Sequence, residues 1–326
     1  MKVYKQNYKD IEGVVCETAT VKGLFLPDYG AKLTSLIGVA NGREYLEQDP
    51  GECYRKPVYG GSYVAAECSA FDDMFPTIDA IISSEYPWNG VELPDHGEVY
   101  ALKWEWEICG AAAAKEACMA DGPDCCVHMW VYSVRFGYRL DKWITEKDGA
   151  LFIRYQAENL TAFDFNYIYA AHCMVAAQEG VVLEVPHADG AAVTTIFSET
   201  GRIGSYGAKA VWPVYNGLDM SVFPSEAEKD AYKFFFDEPA PGGECVCRYP
   251  DGSALHFGFD HKAMPWLGIW TNPGGFKGLH NIALEPCTGA FDRPDVAKLH
   301  KKHSILKGYE KQEWFVSFGV TGGQDE

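Results

Sequence analysis

The feature that most constrains this chain is an alternation of apolar and polar residues with a period of two, recurring almost throughout. In Leu102 to Cys109 (LKWEWEIC), Leu102, Trp104, Trp106 and Ile108 fall on one side and Lys103, Glu105 and Glu107 on the other. Successive side chains of a strand point to opposite faces, so this run predicts a half-buried β-strand. Ala150 to Ala157 alternates in the same way, and Lys147-Asp148-Gly149 before it predicts a tight turn from a strand ending near Thr145. Further strands are expected at Val14–Leu26, Lys32–Val39, Val127–Leu140, Asp164–Ala171, Val181–Val185, Ala191–Ile196, Tyr232–Asp237, Glu244–Tyr249, Ala254–Asp260, Leu267–Thr271, Asn281–Leu284 and Glu313–Val320. Turn signals such as Pro241-Gly242-Gly243, Asp251-Gly252 and Pro273-Gly274-Gly275 separate many of them. Only Asp292–His303 and Ser225–Ala231 read as short helices. Strands in succession without long helices between them argue against a βαβ sheet and for an all-β fold, a large antiparallel β-sandwich. With no repeat, low-complexity tract or Gly/Ser linker, residues 1–326 are expected to form a single domain, although the length alone would suggest about two.

Charge narrows the partners. With 28 basic and 46 acidic residues the formal charge is −18, which disfavours nucleic acid, anionic membrane surfaces and heavily phosphorylated substrates. No apolar run approaches the ~18 residues of a membrane span. Met1 to Asp10 lacks the apolar core of a signal peptide. The eleven cysteines are scattered and odd in number, which suits unpaired thiols in a reducing cytoplasm. Neither Cys125-Cys126 nor Cys245-Val246-Cys247 has the spacing of a structural zinc site, so both are read as buried or half-buried thiols, and no metal is expected.

Three stretches place polar residues awkwardly. His96, in Leu93-Pro94-Asp95-His96-Gly97-Glu98, sits between a proline and a glycine at a strand entry, where a ring can project into a cleft or simply cap a turn. His172 ends the apolar run through Tyr169-Ala170-Ala171 and is either a satisfied core histidine or a proton carrier whose pKa is set by burial and nearby charge. Glu285 closes the apolar Ile282-Ala283-Leu284 and precedes Pro286, which is expected to stop the strand. A carboxylate there is costly unless paired, hydrogen-bonded or functional. Of the remaining histidines, His128 and His256 sit inside strand patterns, His300 and His303 on a solvated helix, and His187 and His261 beside turns. These six of the seven read as structural.

Taken in order, the PDHG block at His96 with Trp104 after it, the Ala170-Ala171-His172 block, the Leu284-Glu285-Pro286-Cys287-Thr288-Gly289 block and the Leu306-Lys307-Gly308 … Trp314 stretch resemble the aldose 1-epimerases of the galactose mutarotase-like family. The resemblance covers most of the chain. It implies a β-supersandwich, a free sugar as substrate and no organic cofactor, in a monomer or homodimer. It also implies roles: His172 as general acid at the ring oxygen, Glu285 as general base at the anomeric hydroxyl, and His96 as a hydrogen-bond donor to the sugar.

The chemistry is consistent with those roles. Mutarotation removes a proton from the C1 hydroxyl and delivers one to the ring oxygen, and an imidazole and a carboxylate on opposite sides of the sugar would supply both. The chain departs from the better-known family pattern before the first histidine, where it reads Ala70-Phe71-Asp72-Asp73-Met74-Phe75-Pro76 instead of a block with arginine and asparagine. Asp72 and Asp73 are expected either to bind sugar hydroxyls or to form a loop turn with Asp73 as a helix cap. Trp270, Asn272 and Trp212 are further binding candidates, the tryptophans as stacking faces. Three other readings stay open: a non-catalytic sugar-binding or sensing protein, a metal site made of His96, His172 and Glu285, and a lyase or glycoside hydrolase, the latter with Asp73 and Glu285 as its carboxylate pair.

Overall fold

In the computed structural model, which describes residues 1–112 and 125–323, two large antiparallel sheets face each other. The first has eleven strands, in the spatial order Lys2–Tyr8, Ile11–Glu17, Val21–Leu26, Lys32–Gly38, Phe71–Met74, Ala170–Ala176, His280–Cys287, Trp266–Pro273, Tyr232–Phe236, Ala192–Ser198 and Lys209–Val211. The second has eight, in the order Val182–Glu184, Glu244–Arg248, Ala254–Phe259, Lys311–Thr321, Ala150–Asn159, Tyr138–Lys147, Cys125–Tyr132 and Glu105–Gly110. This is the all-β sandwich that the alternation predicts. The expected turn at Lys147-Asp148-Gly149 joins two of its longest strands: Lys147 pairs with Ala150, and Asp148 and Gly149 both have positive φ, at 52° and 80°. That is the two-residue hairpin geometry whose twist matches its strands.

Several boundaries differ from expectation, each for a local reason. Val14–Leu26 is two strands, because the Thr18 hydroxyl closes a turn by donating to Val21 O and Gly149 O. Val127–Leu140 also divides, at a loop where Ser133 Oγ accepts the N–H groups of Gly137 and Tyr138. Pro286 does not stop its strand. Pairing continues on both sides of it, Glu285 with Gly268 and Cys287 with Trp266, so the proline removes one ladder donor without ending the ladder. The helix expected over Asp292–His303 covers only Pro294–Leu299. Phe291 and Asp292 have φ of 73° and 63°, a left-handed backbone that no α-helix accommodates. Ser225–Ala231 contains only the short 3-10 turn Glu226–Glu228.

Strand parity then distributes the side chains of the central strands. Phe71, Ala171, Cys173, Val175, Ile282 and Leu284 point between the sheets, into one continuous apolar cluster with Val127, Met129, Leu140, Ile144 and Phe318 of the second sheet. Each fully buried side chain of this kind contributes about 1.5–3 kcal/mol. Their neighbours in sequence point the other way, toward loops that close over the outer face of the eleven-stranded sheet. There a smaller cluster forms from Tyr63, Met74, Tyr100, Phe235, Cys287 and Phe291.

Asp72 and Asp73 show what parity decides. They lie on the Phe71–Met74 strand and not in a loop or at a helix cap. Asp73 faces inward, 2.8 Å from Lys142 Nζ of the opposite sheet, and accepts the Tyr169 hydroxyl at 2.7 Å. Lys142 also donates to Ala31 O and lies 5.0 Å above the Trp104 ring. Both charges are fully buried, and the pair spans the gap between the sheets. Removing one partner of such a pair strands the other charge in the core, at a cost of about 3–5 kcal/mol. Asp73→Ala is therefore expected to lower the unfolding free energy by about that amount in denaturant melts. The double change Asp73→Leu with Lys142→Met should recover much of it.

Candidate active site

The register of the eleven-stranded sheet assembles the site. Ala170 pairs with Cys287 and Cys173 with Leu284, so His172 stands opposite Glu285 on the outer face. On its other side His172 pairs with Asp72. Glu285 pairs with Gly268, whose own partner beyond is Phe235. A Cβ at Gly268 would lie 2.9 Å from the Phe235 ring. Without that atom the Tyr232–Phe236 strand presents both Phe235 and Lys233 over this face.

His172 Nε2 lies 3.8 Å from Glu285 Oε1. Lys233 Nζ bridges two carboxylates, at 2.7 Å from Glu285 Oε2 and 2.9 Å from Asp292 Oδ1. All four residues are buried, with Glu285 only 1% and His172 8% exposed. Burial alone would discharge Lys233, but Asp292 and Glu285 together outweigh it and hold the ammonium above its ordinary range. Burial, together with the nearby Glu285 charge, raises the Asp292 carboxyl against the pull of Lys233. His172 is driven well below 6.5, first by burial and then by the positive charges of His96, Lys233 and Lys32. The resting ring is thus neutral at physiological pH.

His96 reaches the same cleft from its loop. Its φ is 59°, an uncommon conformation for a residue with a side chain, and Gly97 follows at 77°. A Cβ on Gly97 would sit 2.3 Å from the Phe75 carbonyl oxygen, so only glycine lets the loop approach this closely. His96 Nδ1 lies 2.8 Å from Asp95 Oδ1. Partial burial would raise the Asp95 carboxyl, yet that hydrogen bond keeps it below the usual range. The His96 ring stacks on Tyr63 at 4.0 Å. Tyr63 in turn donates to Asp72 Oδ2 at 3.0 Å, and its hydroxyl oxygen is 3.5 Å from His172 Nδ1. Because the Tyr63 proton is directed at Asp72, its oxygen is left to accept from His172 Nδ1–H. His172 Nε2 then faces Glu285 and the cleft.

Tyr63, Ile78, Asp79, Met174, Trp270 and Phe276 wall a cleft of about 200 Å³ above these groups. The structure brings together His96, His172, Glu285 and Trp270. Asp73 is remote from the cleft, and Asp72 is held behind Tyr63 by Lys32 rather than lining it. Asn272 is fully buried and bonds Phe276 N and O, so it shapes the loop that carries Phe276. Trp212 packs in the core against Phe234 and Phe236. Lys233, Asp292 and Tyr63 are the residues sequence reasoning missed. Lys233 offered a signal of the same kind as Glu285, a charge within the apolar run Tyr-Lys-Phe-Phe-Phe. Asp292 offered none, since it looked like a helix start.

No protein-family model and no curated protein matches the chain. Solved structures do. Slr1438 of Synechocystis sp. PCC 6803 superposes with a TM-score of 0.65 at 14% identity, over 98% of this chain and 96% of that one. A galactose mutarotase-like protein of Clostridium acetobutylicum gives 0.63 at 10% identity, over 99% of both chains. A galactose mutarotase related enzyme of Lactobacillus acidophilus gives 0.65 at 13%, over 96% and 99%. The chain thus has the galactose mutarotase-like β-sandwich fold.

A buried neutral histidine makes stability depend on pH. Below 6.5 the unfolded chain binds a proton at His172 that the folded chain refuses, so stability falls as the pH drops, by up to about 1.4 kcal/mol per unit. Chemical denaturation between pH 7 and 5 should show a steeper loss for the wild type than for His172→Gln. Equal slopes would contradict the desolvated neutral ring.

Proposed function

We propose that this protein is an aldose 1-epimerase: it interconverts the anomers of a free, unphosphorylated aldose, with His172 as general acid and Glu285 as general base. The observation that carries the reading is the buried pair itself, Nε2 facing Oε1 at 3.8 Å on the floor of a cleft the size of a small molecule. The C1 hydroxyl and the ring oxygen of a cyclic sugar are bonded to the same carbon. Two proton-transfer groups that stand side by side can therefore serve both.

In the forward step Glu285 takes the C1 hydroxyl proton while protonated His172 gives its Nε2 proton to the ring oxygen. The C1–O5 bond breaks and the open-chain aldehyde forms. After rotation about the C1–C2 bond the transfers reverse, and each group recovers its initial protonation state. Lys233 fixes one carboxylate oxygen of Glu285, leaving Oε1 toward His172 and the cleft. His96, held by Asp95 and stacked on Tyr63, is placed to hydrogen-bond a sugar hydroxyl. Trp270 offers a ring face for the C–H side of the sugar. Lys233 is the one lysine or arginine lining the cleft among the described residues, and it is committed to two carboxylates, which favours a neutral sugar over a phosphorylated one. The Asp72–Asp73 stretch, which motivated the sensing alternative, does not line the cleft.

The test is polarimetry or NMR on freshly dissolved pure anomers across a panel of aldoses. Wild-type protein should speed mutarotation above buffer, and absence of acceleration for every aldose would end the proposal. Glu285→Gln and His172→Gln should each lower kcat by ~10²–10⁴-fold while the fold is kept. Because His172 is neutral at rest, the protonated acid form is scarce at pH 7. The rate should therefore climb as the pH falls from 8 toward 6, and a flat profile there would remove His172 from the acid role.

A further inference from the structure

The eight-stranded sheet ends in the edge strand Glu105–Gly110, paired to Cys125–Tyr132. Register sets Glu107 opposite His128 and Cys109 opposite Cys126. Val127, Met129 and Val131 point into the core, so these four side chains share the outer face, away from the sugar cleft. Glu107, Cys109 and His128 each bring one ligand atom within 4.8 Å of the others, and they form the one such set among the described residues. His96, His172 and Glu285 do not converge in this way.

Two observations lift this set above a chance surface cluster. His128 Nε2 lies 2.7 Å from Asp141 Oδ1, so Asp141 can hold that ring N–H while Nδ1 faces the cluster, 3.3 Å from Glu107 Oε1. A carboxylate that fixes the tautomer of a histidine is the usual support behind a metal-bound imidazole. Asp141 is itself buried and anchored by Arg139. The imidazole is also clamped between rings, parallel to Trp143 at 4.7 Å and tilted against Trp130 at 4.7 Å. These contacts and the Asp141 hydrogen bond hold the ring with Nδ1 toward Glu107.

We propose that Glu107, Cys109 and His128 bind a zinc-class divalent cation, with water as the fourth ligand. One thiolate, one imidazole and one carboxylate form a mixed donor set that suits zinc and disfavours the hard cations magnesium and calcium. On binding, the Cys109 thiol loses its proton to solvent as the metal–sulfur bond forms. Glu107 enters as a carboxylate and His128 as a neutral ring, so one proton is released per cation. Burial and the adjacent Glu107 charge raise the Cys109 thiol, a penalty that a bound cation would offset. The cation would fasten the edge strand to its neighbour.

The sequence reading missed this site because the ligands are not in a paired-cysteine spacing. The cross-strand register creates it.

The test uses the whole protein, kept reduced and stripped with a chelator, then titrated with zinc by calorimetry. One zinc per chain is expected, at micromolar affinity or tighter, with proton release visible in buffers of different ionisation enthalpy. Cobalt should give a thiolate-to-metal charge-transfer band that Cys109→Ser abolishes. Asp141→Asn should weaken zinc binding ten- to a hundredfold in a protein that remains folded by circular dichroism. Glu285→Gln should bind zinc as the wild type does, which separates this site from the sugar cleft. Zinc affinity unchanged in Cys109→Ser, or no binding to the reduced wild-type protein, would overturn the proposal.

Discussion

A buried ammonium and two buried carboxylates tolerate desolvation only while they stay together. Lys233 between Glu285 and Asp292 is such a group, and the cleft floor depends on it. A buried carboxylate or ammonium left without its partner is costly to desolvate. Together the three charges compensate one another on the cleft floor. The same assembly explains the odd chain path at Phe291 and Asp292, two consecutive left-handed residues that turn Asp292 under the sheet instead of into a helix. Backbone strain of that kind persists where surrounding contacts over-determine it. Here the contact is an ion pair in the site.

The charge at the floor also sets the state of His172. Lys233, Lys32 and His96 all disfavour a proton on the ring, and burial disfavours it more. The ring is held neutral beside a carboxylate 3.8 Å away. Tyr63 links the two histidines mechanically. It stacks on His96, points its hydroxyl at Asp72 and leaves its oxygen beside His172. Asp72 thus serves the cleft through Tyr63, while its sequence neighbour Asp73 serves the core through Lys142.

Much of this was legible in the chain. Glu285 stood out as a charge at the end of an apolar run, and Lys233 carried the same signature. What hid Lys233 was that lysine can extend its stem through apolar surroundings, so one lysine in a strand is unremarkable until its ammonium is found to be buried. Asp292 was hidden by a local pattern, acidic residue then proline, that ordinarily starts a helix. The proline does start one, at Pro294, but the aspartate belongs to the cleft. His128 read as an ordinary strand histidine because Asp141 and Trp143 come from the next strand.

The sequence by itself determined the β class, the in-and-out alternation along each strand, and which chemically expensive residues needed an explanation. It could do so because period-two patterning and the cost of desolvating charge are local properties. Which of these residues meet was decided only by the tertiary structure. Pairing strands distant in sequence put His172 opposite Glu285, and brought Lys233 within reach of it from the strand beyond Gly268. Parity sent Asp72 and Asp73 to opposite faces of one sheet. A shift of one residue in that register would move every one of these side chains to the other face. The site is therefore a product of strand registration, and no short stretch of the chain contains it.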